Sequence, residues 1–260
     1  MFEAYWGLQR GPFSDDAARR SLEGSPTHAE ALARLEFLIE SRSRFGLLLG
    51  PAGSGKSLVL GELARRAERT GSAVTLVAAA GSDAKGLLAG LAMGLGCPPE
   101  STICPWAAVT DRLEELKLEG LGATVLFDNL DRATGEAQAK VEALLGIADS
   151  PLTVIATARV ESAARLTRGL VDQVSLRIDL TPWNEDETRE YLLASLAQAG
   201  RKQPAFNDAA VRRLFELSGG APRKVNQLAE LALLAGASHN LVQVDAETID
   251  AVEEELGVVR

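Results

Sequence analysis

Gly50-Pro51-Ala52-Gly53-Ser54-Gly55-Lys56-Ser57 has the residue types and spacing to hold a polyphosphate. It reads G-x-x-x-x-G-K-S, the phosphate-binding loop pattern. Glycines at 50, 53 and 55 let the backbone curl until successive N–H groups point inward at phosphate oxygens. Lys56 then reaches the β- and γ-phosphates of a nucleoside triphosphate, and the Ser57 hydroxyl is a ligand for Mg²⁺. Good helix formers run from Leu58 to Thr70, so the positive end of a helix faces the same anion. The bland alternative is a glycine turn joining a strand to a helix. The complete Lys-Ser pair, with the apolar run Phe45–Leu49 before it, argues against that.

Hydrolysis needs a second strand end that offers a carboxylate to the metal, and apolar residues 123–127 followed by Asp128 supply one in the Walker B pattern. Asn129 comes next. An amide positions water but cannot take its proton. Asp131 is the nearest carboxylate to compensate, with an exposed Asx-turn as its alternative reading. Thr157, at the tip of the apolar run 152–157, either touches the γ-phosphate or the lytic water, or ends its strand by bonding its own backbone. Arg223, in Gly219-Gly220-Ala221-Pro222-Arg223, is either a surface arginine or a guanidinium that senses the γ-phosphate. Arg159, Arg165 and Arg168 include a candidate finger for a neighbouring subunit's nucleotide, solvation being the default for each. Trp6, Phe13 and Trp183 are candidates to flank adenine or, more simply, core residues.

These residues need elements to place them. Strands are expected at Phe45–Leu49, Ala73–Ala78, Thr124–Phe127, Leu152–Thr157 and Ser175–Leu180. Helices are expected between them, near 83–95, 105–117, 135–148 and 160–168, and the loop helix is expected to stop at Thr70-Gly71-Ser72. Short strands alternating with helices predict an α/β fold: a parallel five-stranded sheet with helices on both faces. Ser25-Pro26-Thr27-His28 opens a helix, with Ser25 as its cap and Pro26 in first position. His28 is read as making a cap-region hydrogen bond, with nucleotide contact as the alternative. After Leu180 the strand signal fades and a C-terminal four-helix lid is expected at 185–199, 208–217, 222–236 and 246–256. Asn184 with Glu187 forms its first cap and Asp245 its last. The expected division is residues 1–44 as an N-terminal clasp and helix packed on the core, 45–181 as the nucleotide-binding domain and 182–260 as the lid. Residues 1–24 look too irregular for a helix.

Composition narrows the class. The 260 residues are 46% hydrophobic and 24% charged, as in a water-soluble globular protein. A net charge of −9 argues against a chain that coats nucleic acid, because that affinity comes from Lys and Arg neutralising phosphates. Cys97 and Cys104 flank a Pro-Pro pair with no histidine nearby, so they read as unpaired thiols of a reducing compartment. The two histidines leave little material for a metal centre. No apolar run approaches the roughly 18 residues of a membrane span, and MFEAYWGLQRGPF lacks a signal-peptide pattern. A cytoplasmic protein is expected.

Taken with the phosphate loop, Asp128, Thr157 and Gly219–Arg223, the chain resembles the AAA+ ATPases, and within them the group related to general secretion pathway protein A. The likeness runs from Tyr5-Trp6-Gly7-Leu8 and Pro12-Phe13-Ser14 through Ser25–His28 to Arg177–Leu180. It continues through Thr188, Tyr191, Ala199-Gly200 and Ser218-Gly219-Gly220 to Asn226. The resemblance implies a P-loop NTPase in which a further strand is inserted between the loop strand and the Asp128 strand. It also implies a nucleotide-driven, often oligomeric switch using ATP and Mg²⁺, with Thr157 as sensor 1 and Arg223 as sensor 2. Its pattern has Glu where Asn129 stands, so slow hydrolysis is expected, and frequently Arg where Gln173 stands, which counts against an arginine finger. A non-hydrolysing, partner-recruiting scaffold and a DNA-transposition helper ATPase are the alternatives.

Overall fold

The structure is a computed structural model, and it describes residues 2–13, 25–69 and 73–258. Residues 14–24, Ser14 among them, and the expected helix stop at Thr70–Ser72 lie outside the described residues. The described chain forms two compact units. One, the α/β unit, comprises residues 30–51 and 56–180. The other, largely helical, comprises residues 1–29, 52–55 and 181–260.

The α/β unit is built on five parallel strands: β1 (Phe45–Gly50), β2 (Ala73–Ala78), β3 (Ala123–Asp128), β4 (Leu152–Arg159) and β5 (Leu176–Asp179). Their order is β2-β3-β4-β1-β5, so β4 is inserted between the loop strand and the Asp128 strand as expected. β1, β3 and β4 are buried along almost their whole length, which requires cover on both faces, whereas edge strands β2 and β5 are partly open. Phe45, Leu47, Val125, Phe127, Val154 and Ala156 anchor one continuous apolar core with Leu87, Leu91, Val109 and Val141 from the covering helices. The register sets Leu48 beside Thr157 and Gly50 beside Arg159, which brings the start of the phosphate loop level with the end of β4.

Two helix expectations need correction. The helix expected over 160–168 breaks into a 3₁₀ turn, Val160–Arg165, and a short helix, Arg168–Asp172. Thr167 is held extended between them: its N–H donates to Gln138 Oε1 at 2.8 Å and its hydroxyl to Glu142 Oε2 at 3.3 Å. The helix expected to reach 148 ends at Leu145, because the Arg44 guanidinium takes up the carbonyls of Leu145 and Ile147.

The helical unit contains helices Glu185–Gln198, Asp208–Ser218, Pro222–Ser238 and Ala246–Val258 around a second apolar core. Asn184 and Glu187 form the expected capping box, and Asp245 Oδ1 accepts from Thr248 N–H at 2.9 Å. Gly220 must be glycine, since its φ is +71° and a Cβ there would lie 1.9 Å from Trp183 O. Contrary to expectation, the N-terminal arm does form one helical turn, Phe2–Tyr5. It is fixed by Trp6, whose Nε1–H donates to Leu233 O at 2.7 Å and whose ring lies under the Arg201 guanidinium. Trp6, Phe13 and Trp183 all sit in this core.

Candidate functional site

In the α/β unit, Asp128 at the end of β3 is bonded on both carboxylate oxygens. Ser57, in the first turn of the helix Lys56–Glu68, donates from Oγ to Asp128 Oδ2 at 2.7 Å. Thr157, fully buried in β4, donates from Oγ1 to Asp128 Oδ1, also at 2.7 Å. The same Thr157 hydroxyl accepts the Asn129 backbone N–H at 2.7 Å, so it bonds across to the neighbouring strand end and not to its own backbone. Asn129 has φ +58°, the left-handed conformation an Asn tolerates, and starts the 3₁₀ turn Leu130–Arg132.

Asp131 is not the exposed turn residue its sequence context allows. It is only 2% exposed, it accepts from Ser162 Oγ through Oδ2, and its Oδ1 has no hydrogen-bond partner among the described residues. Lys56 is buried and folds its ammonium back onto Gly50 O at 2.8 Å and Pro51 O at 2.7 Å. Burial is the main influence pushing its pKa below the usual lysine range, and the nearby Arg159 charge adds to it. Asp128, Glu161 and Asp131 pull the other way. Arg159 is half-buried, whereas Arg165 and Arg168 are exposed, Arg168 lying 3.8 Å from Asp172. Gln173 donates to Gly169 O at 3.1 Å.

The residues of this unit suit a hard divalent cation. Ser57 Oγ and Asp128 Oδ2 are hydroxyl and carboxylate oxygens 2.7 Å apart, close to the separation of neighbouring ligands on one small ion. No cluster of three or more His, Cys, Asp or Glu exists among the described residues, so phosphate oxygens or waters must complete any coordination shell.

In the helical unit, the loop residues 52–55 carry Gly53 and Gly55 at φ +79° and +94°. Gly53 O accepts the Arg223 backbone N–H at 3.3 Å, at the start of the helix Pro222–Ser238, while the Arg223 side chain is exposed. Ser54 O accepts from His28 Nε2 at 2.9 Å. His28 Nδ1 bonds Ser25 Oγ at 2.8 Å, which is the expected cap-region bond. Ser25 Oγ in turn accepts from Trp183 Nε1 at 3.1 Å. Burial lowers the His28 pKa below the ordinary imidazole value, and the Ser54 carbonyl and Glu187 only partly oppose this. The sequence did not reveal Ser162 or the His28–Ser54 bond, since neither belongs to a spacing pattern.

The family described as AAA domain matches residues 28–158, just over half of the chain, from His28 to Ala158 in β4. The chain belongs to the AAA domain family. Within the AAA family it is similar to General secretion pathway protein A of Aeromonas hydrophila, at 26% identity over 258 residues, covering 94% of this chain and 47% of that protein. The chain therefore spans about half the length of the curated relative it matches. Among solved structures, Cdc6p from Pyrobaculum aerophilum superposes with a TM-score of 0.69 at 14% identity, covering 88% of this chain and 67% of that one. The ORC1 protein of Aeropyrum pernix, solved in complex with DNA, gives 0.68 at 18% identity over 89% and 65%. The RuvB Holliday junction branch migration motor of Thermotoga maritima gives 0.58 at 16% over 87% and 69%. These likenesses establish the P-loop ATPase fold of the AAA chain.

Proposed function

We propose that this AAA chain binds ATP with Mg²⁺ and hydrolyses it slowly, to drive a conformational or assembly switch. One observation carries the reading: Ser57 and Thr157, far from Asp128 in sequence, each bond one of its carboxylate oxygens. Gly50 to Leu58 form the phosphate-binding segment, with Lys56 holding the β- and γ-phosphates and Ser57 and Asp128 holding the metal. When bound, Mg²⁺ neutralises phosphate charge. Thr157 acts as the polar sensor beside Asp128, Asn129 or Asp131 orients the attacking water, and Arg223 on the helical lid, residues 182–260, reads the γ-phosphate. Self-association or a protein partner follows from the family habit, with Arg159, Arg165 and Arg168 as the candidate fingers. The two unpaired cysteines support a reducing, cytoplasmic setting, and among the described residues no helix is long and apolar enough to cross a membrane.

A second reading, an ATP-dependent scaffold that hydrolyses little, is favoured by Asn129. Its amide follows Asp128 directly, where a proton acceptor is wanted. Phosphate release by the wild type, Lys56→Ala and Asn129→Glu separates the two. The slow ATPase predicts release by the wild type that Lys56→Ala abolishes, with a gain of about tenfold in Asn129→Glu. Release by the wild type no faster than by Lys56→Ala, with a strong gain in Asn129→Glu, establishes the scaffold reading. No release by any of the three sinks the ATPase.

A further inference from the structure

Two carbonyls at the tip of the phosphate loop are tied to groups outside the motif. Gly53 O takes the Arg223 N–H, and Ser54 O takes His28 Nε2. A trans peptide points its C=O and the following N–H in opposite directions. Fixing Ser54 O on His28 therefore turns the Gly55 N–H to the other side of the chain, and fixing Gly53 O does the same for the Ser54 N–H. The imidazole is also the surface on which the tip rests: a Cβ on Gly55 would lie 2.6 Å from His28 Nε2.

The hydrogen-bond chain sets the ring's tautomer. Ser54 O can only accept, so Nε2 carries the hydrogen and Nδ1 accepts from Ser25. Ser25 Oγ then accepts the indole N–H of Trp183, whose ring lies 5.9 Å from the imidazole and 4.5 Å from Tyr191. The nearest charge to influence the ring is Glu187, already engaged by Thr27 Oγ1 at 3.1 Å and the Asn184 N–H at 2.9 Å. A second proton, on Nδ1, would only turn the Ser25 hydroxyl from donor to acceptor, while Nε2–H stays on Ser54 O.

We propose that His28 is the positioning residue of the phosphate loop. Its neutral ring, held by Ser25 and Trp183, anchors Ser54 O and so presents the Gly55 N–H to the phosphates of the bound nucleotide. This rests on the nucleotide-binding reading above. The test is equilibrium titration of a fluorescent ATP analogue with Mg²⁺ into the wild type, His28→Leu and His28→Gln at pH 7.5, with nucleotide-free melting of each. His28→Leu should bind about tenfold more weakly at pH 7.5, the worth of one positioned hydrogen bond. His28→Gln, which restores an N–H donor, should recover most of that.

Equal affinity of the wild type and His28→Leu overturns the inference and leaves nucleotide binding intact. Glutamine binding as weakly as leucine also overturns it, since packing alone then explains the loss. If His28→Leu does not fold, His28→Phe takes its place as the ring without an N–H donor, and binding as tight as the wild type's overturns the inference. No binding by the wild type sinks the nucleotide reading and this inference together.

Discussion

The base of the phosphate loop and its tip are held in different ways. At the base, in the α/β unit, the bonds come from side chains of the motif itself: Lys56 folds onto Gly50 O and Pro51 O, and Ser57 bonds Asp128. At the tip, in the helical unit, backbone carbonyls are held by a histidine ring and a helix N–H, neither of which belongs to the motif. The motif thus names the atoms offered to a ligand. The carbonyls of Gly53 and Ser54 between them are tied to residues 223 and 28.

Three changes break or sharpen this contrast, in falling order of effect. Asp128→Asn strikes the base, replacing a carboxylate oxygen that accepts from Ser57 with an amide. Phosphate release should fall by about a hundredfold while nucleotide affinity stays within a few-fold. An unchanged rate would remove Asp128 from the chemistry.

Gly55→Ala strikes the tip. Its φ of +94° costs a side chain about 1–3 kcal/mol, and the Cβ meets His28. Melting should drop by roughly 2–10 °C for a chain of this size, and a scan that overlays the wild type would show that the tip is free to shift.

The smallest effect is on pH. The folded-state pKa of His28 is depressed, so the unfolded chain binds the extra proton first. Stability should therefore fall as pH drops from 7 toward 5, and His28→Gln should flatten that slope. Glu62, whose pKa Arg65 holds down to about 2 with help from Arg66, also loses stabilisation as pH falls past its ordinary carboxylate range, but both proteins carry it and it cancels from their comparison. Denaturant melts at each pH check this, and identical slopes in the two proteins would contradict it.

Much of the architecture was legible because it follows from local pattern. Continuous apolar runs gave the five strands, and the family resemblance gave the inserted strand, which is β4. The Asn184–Glu187 cap was visible as a spacing. What escaped was set by tertiary hydrogen bonds between distant residues. Gln138 and Glu142 hold Thr167 out of the helix that its neighbours favour. Ser162 finds Asp131 only because the turns after β3 and β4 meet, which turns a plausible surface acid into a buried one. His28 was read correctly as a capping residue, but its other nitrogen serves the phosphate loop. No periodicity or composition announces such a bond, since it depends on where the turn after Pro51 lands.

The most direct measurement is equilibrium binding of ATP with Mg²⁺ to the wild-type chain and to Lys56→Ala. Saturable, magnesium-dependent binding by the wild type that falls by about a hundredfold in Lys56→Ala is the predicted result. Absence of binding by the wild type, or equal binding by both, would contradict the account.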